Sequence, residues 1–89
     1  MQLRASFDGA GDAAHLDFHM PRSARARLSV VDVSGRETAV LADESFTEGW
    51  HQVRWNLRDN VGRRVASGVY FAVLRAEGGS AVRKILVVR

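Results

Sequence analysis

The segment 55–71, WNLRDNVGRRVASGVYF, contains the residues whose types and spacing come closest to a chemical site. Its three arginines could bind an anion around a turn: Arg58, Arg63 and Arg64. The turn itself needs no ligand, because Asp59 at its first position and Gly62 at its fourth are the residues that a type I turn prefers. An Asp at that position accepts hydrogen bonds from the backbone N–H groups ahead of it. We therefore predict that the loop is a structural connection between two strands.

Aromatic residues flank this predicted structural loop. Gly68 allows a backbone conformation that residues with a Cβ atom avoid, at the point where the chain enters the next strand. Tyr70, near the start of that strand, resembles a tyrosine corner, in which the hydroxyl bonds back to the nearby backbone. Trp50 and Trp55 are five residues apart, so in an extended strand they point to opposite faces. One of them can be core while the other is exposed, and an exposed Trp50 could bind a sugar or a protein.

A row of polar residues offers possible metal ligands. His15, Asp17 and His19 alternate along one strand, and two imidazoles with a carboxylate can bind zinc or iron. The rise along a strand places the two histidines about 13 Å apart, which is too far to share one ion. We predict a solvated row and no metal site. His51 shares its face with apolar residues and is predicted to be a hydrogen-bonded residue at the edge of the core.

Catalysis has no support in the sequence. The serines lack a G-x-S-x-G elbow and an evident acid–base pair, so no catalytic residue is predicted. The chain has no cysteine, which excludes disulfides and thiolate metal sites. No cofactor-binding residue is predicted either.

Length and composition indicate one small globular domain spanning residues 1–89. Apolar residues make up 46% of the 89 residues, and no stretch approaches the roughly 18 apolar residues of a membrane span. Nothing resembles a signal peptide. The net charge is +3, and the densest basic run lacks the interleaved aromatics that nucleic-acid binding would require. That run consists of Arg22, Arg25 and Arg27. We expect no nucleic-acid partner and no membrane insertion.

Hydrophobic periodicity predicts β-strands throughout. AHLDFHM alternates until Pro21 ends it, and RLSVVDV turns at Gly35 into a short strand around TAVLA, which makes a hairpin. HQVRW precedes the loop. VYFAVLRA is apolar on both faces, which predicts a central strand covered on both sides. It forms a second hairpin with AVRKILVVR through a tight turn at Gly78 and Gly79.

These strands predict the fold class. Six or seven short strands with turn signals every eight to twelve residues favour an all-β, antiparallel sandwich of the immunoglobulin or fibronectin type III kind, with a small barrel as the alternative. Residues 2–12 have a weaker strand signal, so the segment 1–12 is predicted to be a frayed edge strand.

Five segments together resemble a bacterial family of C-terminal immunoglobulin-like domains, related to the Ig-like domain of the flagellar hook-capping protein and to the sorting domains of type IX secretion. They are LDFHMP (16–21), LSVVDVSGRE (28–37), EGWHQVRW (48–55), RDNVGRRVASGVYF (58–71) and RKILVVR (83–89). The chain departs from the family at residues 5–7, Ala-Ser-Phe in place of the frequent Asn-Pro-Phe, and at residues 56–57, Asn-Leu in place of Asp-Gly.

The resemblance implies a non-catalytic appendage at the C-terminal end of a secreted or surface protein that passes through the periplasm. We expect the domain to be monomeric. Its partners would be the parent protein and the secretion machinery, and Lys84 and Arg89 on the last strand are the candidate recognition residues. Two alternatives remain: an assembly module of the hook-cap type, and a module that binds carbohydrate or protein.

Overall fold

The computed structural model of the chain describes residues 1–7 and 11–88. Within those ranges it is all-β, as predicted, with seven strands: β1 Gln2–Phe7, β2 Ala14–Met20, β3 Ala24–Asp32, β4 Glu37–Phe46, β5 Gly49–Trp55, β6 Gly68–Ala76 and β7 Gly79–Val87. No helix in the described ranges is long and apolar enough to cross a membrane.

The strands form two antiparallel sheets. One sheet has three strands in the order β1-β2-β5, and the other has four in the order β4-β3-β6-β7. In a constant-type immunoglobulin sandwich the fourth strand joins the sheet of the first two strands. Here β4 pairs with β3 instead, so the second sheet has four strands. The predicted immunoglobulin-like sandwich is confirmed in its strand number and its two-sheet architecture.

The core lies between the two sheets and is filled from both. Leu16 and Phe18 of β2 point inward with Trp55 of β5, and Leu28 and Leu74 close the core from the opposite sheet. Alternate residues of a strand point to opposite faces, so the polar residues between these positions lie on the outer surface. The same alternation buries Trp55, which is 1% exposed, while Trp50 on the same strand is 48% exposed.

Strand β4 is longer than predicted. The sequence suggests a short strand around TAVLA, whereas β4 runs over ten residues and continues through Asp43 and Glu44. Polar residues are tolerated there because β4 is an edge strand with an exposed outer side. The pairing of β4 with β3 contains two register shifts, which interrupt the regular ladder of hydrogen bonds. Such bulges are frequent at sheet edges.

Three other expectations need adjustment. Strand β6 is central, between β3 and β7, but within residues 1–7 and 11–88 only its inner face is covered by the opposite sheet. On its other face, Phe71 is half-buried and Val73 is 9% exposed. The turn after β6 consists of Glu77 and Gly78, one residue earlier than predicted. The segment expected to fray contains β1, which pairs regularly with β2 from Gln2 to Phe7.

Candidate functional site

The loop between β5 and β6 is organised by the carboxylate of Asp59. Its Oδ1 accepts hydrogen bonds from the backbone N–H groups of Val61 and Arg63, at 3.0 and 2.9 Å. The Gly62 N–H donates to the Asp59 carbonyl, and the Asp59 N–H donates to the Arg63 carbonyl. Gly62 has a φ of 86°, a conformation that glycine adopts without strain. The turn is therefore complete without a ligand.

The same geometry occurs in the turn between β3 and β4. Asp32 Oδ1 accepts from the backbone N–H groups of Ser34 and Arg36, and the Gly35 N–H donates to the Asp32 carbonyl. Both turns have the sequence Asp-x-x-Gly-Arg, DVSGR and DNVGR. A hydrogen bond from the Ser34 hydroxyl lowers the pKa of Asp32 below its ordinary value of 3.8, against the opposing effect of desolvation; the Arg36 and Ser34 N–H groups and the Arg36 guanidinium lower it further.

Side chains attach the Asp59 loop to the sandwich. The Asn60 side-chain oxygen accepts from the Val40 N–H at 2.9 Å, and the Asn60 N–H donates to the Thr38 carbonyl. Asn60 thus bonds the loop to the backbone of β4. Leu57 is buried with a φ of 61°, which is uncommon for a residue other than glycine.

Two aromatic residues support the ends of the loop. The Trp55 indole N–H donates to the Arg58 carbonyl at 2.9 Å. The Tyr70 hydroxyl donates to the Ala66 carbonyl at 2.7 Å, which is the arrangement of a tyrosine corner. The two rings meet edge to face with their centroids 5.7 Å apart. Gly68, with a φ of 156°, lies between Ala66 and Tyr70 in a region open almost only to glycine.

The three loop arginines do not lie together in the structure. Arg58 donates to the Gly62 carbonyl at 2.9 Å, so part of its guanidinium is used within the turn. Arg58 and Arg64 lie opposite each other and line a cavity of about 230 Å³ together with Arg54, Asn56 and Asp12. Arg63 does not line that cavity. The alternative considered for this loop, an anion-binding cluster of Arg58, Arg63 and Arg64, does not form with those residues, because Arg54 and not Arg63 lines the cavity with Arg58 and Arg64.

The other basic run is paired with acids of β4 and of the turn after β6. Arg27 forms a bidentate pair with Glu37, at 2.8 and 2.9 Å, and Arg25 approaches Asp43 at 3.1 Å. Arg22 lies 3.7 Å from Glu77. These arginines contact acids, and their charge is partly neutralised within the fold.

A second cluster occupies the outer surface of the three-stranded sheet, which we call the Trp50 face. Strand register aligns its residues in three rows, Gln2–His19–Trp50, Arg4–Asp17–Gln52 and Ser6–His15–Arg54.

Contacts connect several members of the Trp50 face. The Arg4 guanidinium carbon lies 4.3 Å from the centroid of the Trp50 ring, and His19 meets that ring edge to face at 5.3 Å. The Gln52 side chain donates to Asp17 Oδ1 at 2.9 Å. Arg4, Asp17, Trp50 and Gln52, together with His51, line an open cavity of about 410 Å³.

The row of His15, Asp17 and His19 lies on this face as predicted. Among residues 1–7 and 11–88, no group of three His, Cys, Asp or Glu side chains could hold a metal ion. His51 faces the other way, where its Nε2 hydrogen bonds with the Thr47 carbonyl at 2.7 Å and its ring stacks on Phe18.

The last strand, β7, forms one edge of the four-stranded sheet. Lys84 is exposed on its outer side, between Val82 and Leu86, which are 58% and 57% exposed. Arg83 points toward the other sheet, where its Nε donates to the Leu3 carbonyl of β1 at 2.7 Å. Arg89, the other candidate recognition residue, lies outside the described residues.

No family model matches the chain, and no curated protein matches it. The structure adds two residues that sequence reasoning missed, Arg4 on Trp50 and Asn60 on β4. For Asn60, the sequence does contain a signal: a polar residue at the second position of a turn can form hydrogen bonds with neighbouring backbone. No sequence pattern predicts the Arg4 contact, because Arg4 on β1 and Trp50 on β5 are distant in the sequence and are separated in the sheet by β2.

Proposed function

We propose that the chain is a non-catalytic accessory module of a larger secreted or surface protein, and that it acts by offering the edge of β7 to an export apparatus. The observation that carries the proposal is the regular β7 edge. The strand pairs with β6 without a register shift over nine residues, and its outer side carries Val82 and Leu86, both more than half exposed. An unpaired strand edge is a template for strand addition by another chain.

The other edges suit this role less well. Strand β4 contains two register shifts, and its charged residues pair with arginines of β3. Strands β1 and β5 have six and seven residues, against nine in β7. A groove of about 410 Å³ lies between β1 and β7, lined by residues that include Leu3 and Arg83. A partner strand added to β7 would lie beside this groove.

The β7 edge also has features that oppose pairing between two copies of the chain. An exposed lysine on an edge strand and an inward-pointing charge both discourage edge-to-edge association. Lys84 supplies the first, and Arg83, bonded to the Leu3 carbonyl, supplies the second. These features fit a monomeric module.

The proposal includes a relationship to the Ig-like domain of the hook-capping protein and to type IX sorting domains. Its support is the sequence resemblance together with the seven-strand sandwich. The parent protein would precede the module, and the export route would pass through the periplasm to the cell surface.

A fusion experiment tests the proposal. Residues 1–89 are placed behind a periplasmic reporter in a bacterium with type IX machinery, and the reporter is assayed at the cell surface. Deleting the last residues is a poor control, because Ile85 and Val87 are buried in the core. The matched control instead keeps the fold and adds a polar extension after Arg89. Surface display of the intact fusion supports sorting. A folded fusion that stays in the periplasm contradicts sorting and favours the alternative of an assembly module of the hook-cap type.

A further inference from the structure

The Trp50 face differs in charge from the outer surface of the four-stranded sheet. On the four-stranded sheet, Arg25 and Arg27 are paired with acids. On the Trp50 face, Arg4 and Arg54 stand with a single acid, Asp17. In the described part of the chain neither Arg4 nor Arg54 has its guanidinium in an ion pair. This face therefore carries unpaired positive charge beside an exposed tryptophan.

Arg4 is positioned by Trp50. Stacking of the guanidinium over the ring is a cation–π contact, which holds the group in place without using its N–H donors. Within residues 1–7 and 11–88 the Arg4 guanidinium makes no hydrogen bond, so its planar fork of donors remains open. An arginine fork matches the geometry of a carboxylate and binds it through two parallel hydrogen bonds.

Asp17 and Gln52 provide acceptors next to this donor. Gln52 donates one side-chain N–H to Asp17 Oδ1 at 2.9 Å, and both residues line the cavity. That bond leaves the second Asp17 carboxylate oxygen and the Gln52 side-chain oxygen as further acceptors. Acceptors of this kind bind hydroxyl groups. Trp50 and His19 add aromatic surface, and the apolar face of a pyranose ring packs well against such rings.

The Trp50 face continues along β5 toward the loop that follows this strand. Trp50 and Arg54 are four residues apart on β5, which corresponds to about 13 Å along the strand. Arg54 also lines the cavity that contains Arg58 and Arg64. One acid, Asp12, lines that cavity too, so arginines outnumber acids past the end of the sheet. A polymer with repeated carboxylates would meet several arginines along this line.

We propose that the Trp50 face binds an acidic polysaccharide, with Arg4 receiving a sugar carboxylate, Asp17 and Gln52 receiving hydroxyls, and Trp50 packing against a sugar ring. Charge complementarity favours a carboxylate-bearing glycan over a neutral one. The inference goes beyond the proposed function, because it concerns the sheet opposite β7 and does not depend on export.

The test is affinity electrophoresis of the whole chain in gels that contain polygalacturonate, with dextran and poly-dT gels in parallel. We expect retardation by polygalacturonate alone. Arg4→Gln and Trp50→Ala should each weaken the affinity by about tenfold or more, which is about 1.4 kcal/mol. The first removes the charged donor fork, and the second removes both the aromatic surface and the contact that positions Arg4. The matched control is Arg75→Gln, which removes the same charge from an exposed position on β6 of the other sheet and should bind normally.

Thermal melts of each variant establish that the fold is intact; a variant that fails to fold is replaced by Gln52→Ala, which should weaken binding in the same way. Three results would overturn the proposal: no retardation by polygalacturonate at low salt, equal weakening by Arg75→Gln, or equal retardation by poly-dT, which would indicate general attraction to polyanions. Stronger binding to dextran would also overturn it, because the face would then select neutral sugars.

Discussion

Single side chains decide the geometry of both polar turns. Asp32 and Asp59 each accept two backbone N–H groups through one carboxylate oxygen, which fixes the turn before any ligand is considered. Tyr70 fixes the end of the longer loop in a comparable way, through one hydrogen bond to the Ala66 carbonyl. These contacts are internal, so Asp32, Asp59 and Tyr70 contribute to the framework of the fold.

Acid should weaken the contribution of Asp32 to stability. Because the pKa of Asp32 is lowered in the folded protein, its ionised form stabilises the fold above the ordinary pKa of 3.8, and this stabilisation is lost as the pH falls through the folded value. Asp32→Ala should therefore lower the melting temperature more at pH 6 than at pH 2. Asp32→Asn keeps an acceptor without the charge, so at pH 6 its melting temperature should lie between those of the unmodified chain and Asp32→Ala. An equal loss at both pH values would contradict this assignment.

Removing the Tyr70 hydroxyl should destabilise the domain without unfolding it. Tyr70→Phe leaves the Ala66 carbonyl without its donor, at a cost of about 1 to 3 kcal/mol. For a domain of this size, each kcal/mol lowers the melting temperature by about 4 to 8 °C. Calorimetry measures the change, and a melting temperature equal to that of the unmodified chain would show that the hydrogen bond contributes nothing.

At the scale of elements, the sequence predicts what depends on local pattern and misses what depends on neighbours. Alternation places the inward residues of β2, and turn preferences place Gly35 and Gly62. The length of β4 could not be predicted, because its polar residues are stabilised by arginines on β3 that the pattern of β4 does not contain. The stacking of Arg4 on Trp50 depends on the register of three strands, which no single segment encodes.

The loop between β5 and β6 should respond to backbone changes more than to charge changes. At Gly68 an added Cβ meets nothing within 4 Å, so Gly68→Ala tests backbone strain alone at a φ of 156°. We expect a cost of about 1 to 3 kcal/mol. Arg63→Ala, an exposed control in the same loop, should change stability by less than about 0.5 kcal/mol. Chemical denaturation distinguishes the two, and a large effect of Arg63→Ala with a silent Gly68→Ala would reverse the interpretation.

In the whole molecule, the residues that hold the fold together are distinct from the surfaces for which we propose binding roles. The core and the two Asp-x-x-Gly-Arg turns hold the sandwich together, whereas the exposed groups available to partners lie on the sheet surfaces and at the β7 edge. The sequence predicts the two-sheet sandwich because strand number and turn spacing are local properties. It also predicts that the first segment is an edge strand and that VYFAVLRA is a central strand, which hold for β1 and β6. It does not predict the full strand order, since this follows from pairing between distant segments such as β3 and β6.

The most direct measurement is surface display of the reporter fusion with the β7 edge altered. Val82→Asp with Leu86→Asp changes two exposed side chains of β7, and Val33→Asp with Val61→Asp makes the same chemical change at two exposed turn positions. If β7 accepts a partner strand, the first double variant should remain folded in the periplasm while the second reaches the surface like the unmodified fusion. Equal surface display of the two folded double variants would contradict the account.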